Sequence, residues 1–380
     1  MDQRRLSMSD IVIGEPLPWD VYGEGNKLLL RRGQVVQNAG QVEALVQRGL
    51  YIDSGNADRL AHTKLDAQAK PEAPSALRLI NMALQRLERL LYNLSNETDA
   101  QTRTLDIVKV LIRAIDISRD VALASLLLNQ AAARYAVRHC VDTAILSLLI
   151  ARAMHKPPED IEEIMAAALT MNLGMLRQHD QLEAKEGPLS AKEEELVRRH
   201  AQRSVEILQQ AGITHPAWLS YVLLHHEEED GTGYPLGKAV REIPQSAKIL
   251  ALADRYCAAV SNRSYRKPLL PIAALRDVML ADGRPSDPTL VAYFIKELGT
   301  YPPGTFVRLQ DGEIGVVTHQ TASPATPVVH AFLGPRGAPL SFPIKRDTSK
   351  ESHAIQGALT AQQAMLPFSM QQLWGAGAAP

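Results

Sequence analysis

The sequence predicts a mainly α protein. One all-helical domain over residues 75–300 is flanked by a small N-terminal α+β module at 1–53 and a small C-terminal β-barrel-like module at 301–347. Three observations predict this. From Ser75 on, Leu77, Ile80, Leu84, Leu87, Leu91 and Leu94 recur at spacings of three and four, which places them on one face of a helix. Before and after the helical region, apolar runs are short and punctuated by glycine, the texture of strands and tight turns. No apolar run approaches the roughly 20 residues that span a bilayer, so the greasy helical segments read as buried core.

The elements follow in chain order. In the first module Ile11–Ile13, Leu28–Leu30 and Val35–Val36 suit short strands between Gly14, Gly23, Gly25 and Gly33, followed by a helix at Gln41–Arg48 that stops at Gly49. Residues 54–74 are polar with Gly, Ala and Pro, and read as a linker. Helical patterns then cover Leu105–Ile117, Asp120–Ala132, His139–His155, Glu159–Leu173, Ala191–Gln210, Trp218–His226, Gln245–Val260, Ile272–Ala281 and Pro288–Leu298. In the last module Phe306–Leu309 and Ile314–Thr318 flank Asp311-Gly312, a dipeptide that favours a primed hairpin turn, and Pro327–Leu333 and Leu340–Ile344 add two strands. The stretch 348–380, ending in GAGAAP, reads as a flexible tail.

Composition narrows the function classes. With 41 basic and 42 acidic residues the net charge is −1, so no basic footprint points to nucleic acid. Two cysteines, Cys140 and Cys257, are too few for a disulfide framework and fit a reducing compartment. The opening MDQRRLSMSD lacks the apolar core of a secretory signal, so the expected location is the cytoplasm, without a membrane span. The unusual count is eleven histidines.

The richest stretch is Leu224–Gly237, LHHEEEDGTGYPLG, where a helix runs into His225 and His226. Neighbouring helical residues point about 100° apart, so the two imidazoles can reach different sides of one site. The close acidic residue Glu227 can orient an imidazole by accepting its second N–H. On these residues the chain resembles the HD-GYP domains, bacterial relatives of the HD phosphohydrolases. The motif is matched at His225–Glu227, Asp230, Gly231, Gly233–Pro235 and Gly237; Asp254, the segment Arg263-Ser264-Tyr265-Arg266, and a lone His200 on its own helix match further family elements. The likeness covers about 120–300, and the flanking VYGEGNKLLLRRG and YPPGTFVRLQDGEIGVV segments look like modules fused to this family.

The resemblance implies an all-helical fold and hydrolysis of cyclic di-GMP at a cluster of iron or manganese ions. Paired cations held by imidazoles and bridging carboxylates offset charge on the phosphate oxygens. It implies metal ligation by His139, His200, His225, His226 and Asp254, and nucleotide contacts from Gly233, Tyr234, Pro235, Arg263 and Arg266. Guanidinium forks at Arg263 and Arg266 suit bidentate phosphate contacts.

The sequence departs from the family where the HD pair should stand. Downstream of His139 it reads Thr170-Met171-Asn172-Leu173-Gly174-Met175, with Gly174 in register, Met171-Asn172 in place of the pair and Met175 in place of a lysine. A thioether matches hard ferrous or manganous ions poorly, a carboxamide is no anionic bridge, and a methionine cannot steady a phosphate oxygen. The nearby His179-Asp180 falls in a polar stretch and reads as a solvated loop pair. No residue is therefore assigned a catalytic role. The five ligand candidates either hold one residual divalent metal (Fe or Mn) or survive as a hydrogen-bonded polar core or as nucleotide contacts.

Three functions remain. The leading one is a cyclic di-GMP signalling protein with a degenerate site, a weak or inactive catalyst that binds cyclic di-GMP or its linear product and regulates a protein partner. The second is an active metal-dependent cyclic di-GMP phosphodiesterase with an altered centre. The third is a scaffold binding neither metal nor nucleotide. A homodimer is compatible with each.

Overall fold

The computed structural model describes residues 73–128, 133–239, 242–261, 268–281, 284–285, 287–364 and 368–380, and residues 3–5, 17, 20–23, 27–31, 34, 36, 45 and 51–53 nearer the N-terminus. It divides into two compact units, Met1–Ala73 and Pro74–Pro380. In the first, β1 (Gln3–Arg5), β2 (Val21–Gly23), β3 (Lys27–Leu30) and β4 (Tyr51–Asp53) form an antiparallel sheet in the order β1-β4-β2-β3. Val21 faces inward and is fully buried. The expected strand at 11–13, most of the expected helix at 41–48 and nearly all of the 54–74 linker lie outside the described residues.

The second unit is mainly helical, as its spacing predicts. Helix α1 (Ala76–Tyr92) starts at Ser75, whose hydroxyl accepts from the Arg78 N–H, and buries Leu77, Ile80, Leu84, Leu87 and Leu91 along one stripe. Each such aliphatic side chain contributes about 1.5–3 kcal/mol when fully buried. It is followed by α2 (Ala100–Ile117) and α3 (Arg119–Leu128). Then come α4 (Tyr135–Ala153) and α5 (Pro158–Thr170), which pack together. Helix α4 is buried on nearly every side, as is α9 (Gln245–Val260), and the two pack against each other at the centre. The others are α6 (Leu176–Ala184), α7 (Ala191–Gln210), α8 (Pro216–Leu224), α10 (Pro271–Met279) and α11 (Pro288–Leu298), with a short antiparallel strand pair, β5 (Leu280–Ala281) and β6 (Arg284–Pro285), between the last two. Among the described residues no helix is long and apolar enough to cross a membrane.

Helix α6 corrects the sequence reading, which left RQHDQLEAKEGP as a loop. It is too polar to show an apolar stripe, but Leu176 and His179 are buried by packing, and the Asp180 carboxylate accepts from the Ala136 N–H in the first turn of α4.

The C-terminal strands β7 (Phe306–Leu309), β8 (Ile314–His319), β9 (Val328–Leu333), β10 (Pro339–Asp347) and β11 (Ile355–Leu359) make one open antiparallel sheet in the order β10-β9-β8-β7-β11. Its edge strands β10 and β11 do not pair, so the barrel-like expectation becomes an open sheet. The β7–β8 connection also differs from a primed two-residue hairpin. Gly312 N–H donates to Leu309 O (3.0 Å), Leu309 N–H donates to Glu313 O (2.8 Å), and Gly312 takes φ +91°. This is the three-residue loop with a left-handed glycine.

The expected flexible tail at 348–380 is corrected as well. β11 adds to the sheet, α12 (Ala361–Ala364) buries Ala364, and α13 (Met370–Trp374) buries Met370 and Leu373. The Trp374 indole donates to Thr318 O (3.0 Å), and Ser75 Oγ donates to Ala379 O (2.5 Å). The terminal Gly and Ala residues lie close against the start of α1, where small side chains permit the approach.

Candidate functional site

Four helices and one turn bring the polar side chains together. The central pair α4 and α9 carries His139 and Asp254; α7 carries His200; α8, started by Pro216, ends at His225 and His226. The turn Leu173–Met175 between α5 and α6 is pinned to α7 at Gly174. A Cβ there would lie 2.2 Å from His200 O, and the Gly174 N–H donates to Ser204 Oγ (2.8 Å). Only glycine permits this approach, which draws the α5–α6 junction against the helix that presents His200.

The five sequence-predicted ligands fall into two groups. The first is His200, His225 and His226, whose candidate donor atoms all lie within 4.8 Å of one another. His200 Nδ1 donates to Val197 O (2.5 Å) and His225 Nδ1 to Val222 O (2.7 Å). A carbonyl oxygen only accepts, so both protons sit on Nδ1 and the Nε2 atoms carry the lone pairs. Those Nε2 atoms face each other at 3.2 Å. Burial, aided by the charge of His225, pushes His200 down to about 4, and burial lowers His225 and His226 too. The rings are therefore neutral near pH 7, and two lone pairs confront one another in a dry setting. A shared cation relieves that repulsion, so these residues fit a divalent metal.

The second group is His139 and Asp254. His139 Nε2 donates to Asp254 Oδ1 at 2.7 Å, and both side chains are buried. Burial works to raise the Asp254 carboxyl, but the hydrogen bond and charge of His139, with His226 and His225 behind it, hold it far below the usual carboxylate range. His139 Nδ1 is buried and makes no hydrogen bond.

Both groups border a cavity of about 550 Å³. His139, His200, His226 and Asp254 line it, whereas His225 lies behind the others. Tyr234 lines it too, stacked on His226 with ring centroids 4.7 Å apart. Gly233 and Pro235 shape the loop without lining the cavity. A Cβ on Gly233 would lie 2.3 Å from Glu228 N. Glu227, expected behind an imidazole, instead accepts from Leu236 N–H (2.6 Å) and Lys238 N–H (2.7 Å), so its buried carboxylate organises the loop. Arg263 and Arg266 lie outside the described residues.

The lining contributed by the turn before α6 is uncharged. Met171 is fully buried in the apolar core, and Asn172 and Met175 face the cavity. His179, read from the sequence as part of a solvated loop pair, is instead buried on α6 and lines the same cavity. The signal that could have found it is the three-residue spacing of His179 and Leu182, both of which line the cavity. Basic side chains at the rim are engaged, Lys185 with Glu193 and Arg255 with Glu228 (2.8 Å).

Residues 116–290 match the HD domain family. The imidazole group at the meeting of α7 and α8 falls within this stretch, which is similar to helical HD-type domains. The chain is 34% identical over 216 residues to the cyclic di-GMP phosphodiesterase PA4108 of Pseudomonas aeruginosa, covering 57% of this chain and 52% of that protein. It is 33% identical over 160 residues to a cyclic di-GMP phosphodiesterase of Thermotoga maritima, covering 42% and 44%. The chain thus spans about half the length of these curated relatives. The HDG"Y"P protein Bd1817 of Bdellovibrio bacteriovorus superimposes with a TM-score of 0.50 at 16% identity, over 78% of this chain and 99% of that one, a likeness of fold.

Proposed function

We propose that this chain is a cytoplasmic cyclic di-GMP signalling protein whose helical domain binds the nucleotide in the cavity and hydrolyses it weakly or not at all. The observation that carries this reading is the makeup of the site. Three neutral imidazoles, two of them lining the cavity, stand together, while Asn172 and Met175 offer neither carboxylate nor cation and Met171 belongs to the apolar core. His200, His225 and His226 would hold one divalent ion, iron or manganese, with His139 and Asp254 beside it. When bound, such an ion supplies Lewis acidity toward water and phosphate oxygens.

The chain's own residues define the rest. Tyr234, stacked on His226, presents an aromatic face to a base, and the Asp254 carboxylate, held by His139, stays ionised at the cavity. Relatives named as cyclic di-GMP phosphodiesterases support this ligand, and two relatives of Vibrio cholerae named 3'3'-cGAMP-specific phosphodiesterases make that dinucleotide the informative competitor. The test joins three measurements on the full chain: metal content, calorimetry with cyclic di-GMP, and turnover with added manganese. One equivalent of metal or fewer, nucleotide binding and background turnover are expected. Two equivalents of metal, with turnover abolished by His225→Ala, would overturn the degenerate centre and establish the active phosphodiesterase. Absence of nucleotide binding would leave the scaffold.

A further inference from the structure

We propose that His179 is a ligand-contacting residue of the cavity, donating an N–H to a phosphodiester oxygen from the wall that has lost its lysine. The proposal rests on the nucleotide-binding reading above. Its basis is the makeup of the wall formed by the Leu173–Met175 turn and α6. Four side chains reach the cavity from it: Asn172 and Met175 from the turn, and His179 and Leu182, three residues apart on one face of α6. Met175 and Leu182 have no side-chain N–H to offer. His179 lies in the first turn of α6, where an anionic ligand filling the cavity would meet it. Imidazole carries at least one N–H in either protonation state, so the donor role does not depend on its titration.

The ring is also held in place. It meets Tyr135 edge-on with centroids 5.3 Å apart and His139 edge-on at 6.0 Å, while Tyr135 stacks on His139 at 5.5 Å. The adjacent Asp180 carboxylate caps α4, which anchors α6 against the helix carrying His139. A buried side chain positioned by two rings keeps little rotamer freedom to lose when a ligand arrives.

The contrast of His179→Phe with His179→Gln tests this. Phenylalanine keeps the ring contacts and removes the donor; glutamine keeps a donor and removes the ring. Calorimetry with cyclic di-GMP on the full-length protein, with metal content measured alongside, is expected to show affinity about tenfold or more weaker for His179→Phe, as for a lost hydrogen bond to a charged group. His179→Gln should stay within about threefold of wild type by the same reasoning, with metal content unchanged in both. If the phenylalanine variant does not fold, His179→Leu against His179→Asn repeats the contrast at smaller volume. Wild-type affinity in His179→Phe, equal losses in Phe and Gln, or a parallel loss of metal would each overturn the assignment. Failure of wild type to bind the nucleotide is a separate result that removes the reading on which this one rests.

Discussion

Acidification should destabilise the metal-free helical unit through His200 by a predictable amount. Burial, with the charge of His225 second, holds this imidazole at about 4, against 6.5 for an ordinary histidine. Because the folded value is the lower one, the unfolded chain takes up the proton first as pH falls, and stability is lost between about 6.5 and 4. From pH 7 to pH 5 the unfolded chain becomes almost fully protonated at this position and the folded chain barely does, a cost of about 2 kcal/mol. His225 and His226 act in the same direction, while Asp142, raised by burial, gains stability on acidification. The His200 share is therefore read by difference. Urea denaturation of chelator-treated wild type and His200→Gln at both pH values gives four free energies. Wild type should lose about 2 kcal/mol more than the variant. Equal losses would refute a neutral His200, and with it the facing lone pairs on which the metal fit depends.

Four further outcomes follow from the same contacts. Gly174→Ala places a Cβ 2.2 Å from His200 O; a loss of about 1–3 kcal/mol is expected in thermal or urea unfolding, as for other overpacked sites. Glu227→Gln sets an NH2 donor against one of the two loop N–H groups and leaves it without an acceptor, so amide exchange at Leu236 or Lys238 should accelerate. Leu373→Ala should cost about 2–5 kcal/mol, because that side chain is buried against the sheet; a cost near zero would return the C-terminal segment to a tail. Restoring the pair with Met171→His and Asn172→Asp should raise bound metal above one equivalent and bring turnover of cyclic di-GMP above wild type, a result that unchanged metal content would contradict.

Long helices were readable because burial imposes period. Ala191–Gln210, Gln245–Val260 and Pro288–Leu298 stand where the periodicity placed them, since each stripe faces a core that rewards apolar residues at three-to-four spacing. Short and polar elements were not. Helix α6 carries its function on a face of mixed chemistry, so its pattern resembled a loop. The segment 355–380 joins the sheet and α1 through backbone hydrogen bonds and a few large side chains, contacts that leave little trace in local composition.

The sequence by itself determined the helical class, the motif around His225 and His226, and the replacement of the expected pair by Met171-Asn172, because residue identity and spacing are properties of the chain. Only the tertiary structure decided how the five ligand candidates divide: a three-imidazole group with facing nitrogens, and a separate hydrogen-bonded His139–Asp254 pair. It also decided that Met171 joins the core while His179 faces the cavity. Those outcomes depend on which helices cross and at what distance, and packing between segments distant in sequence sets both.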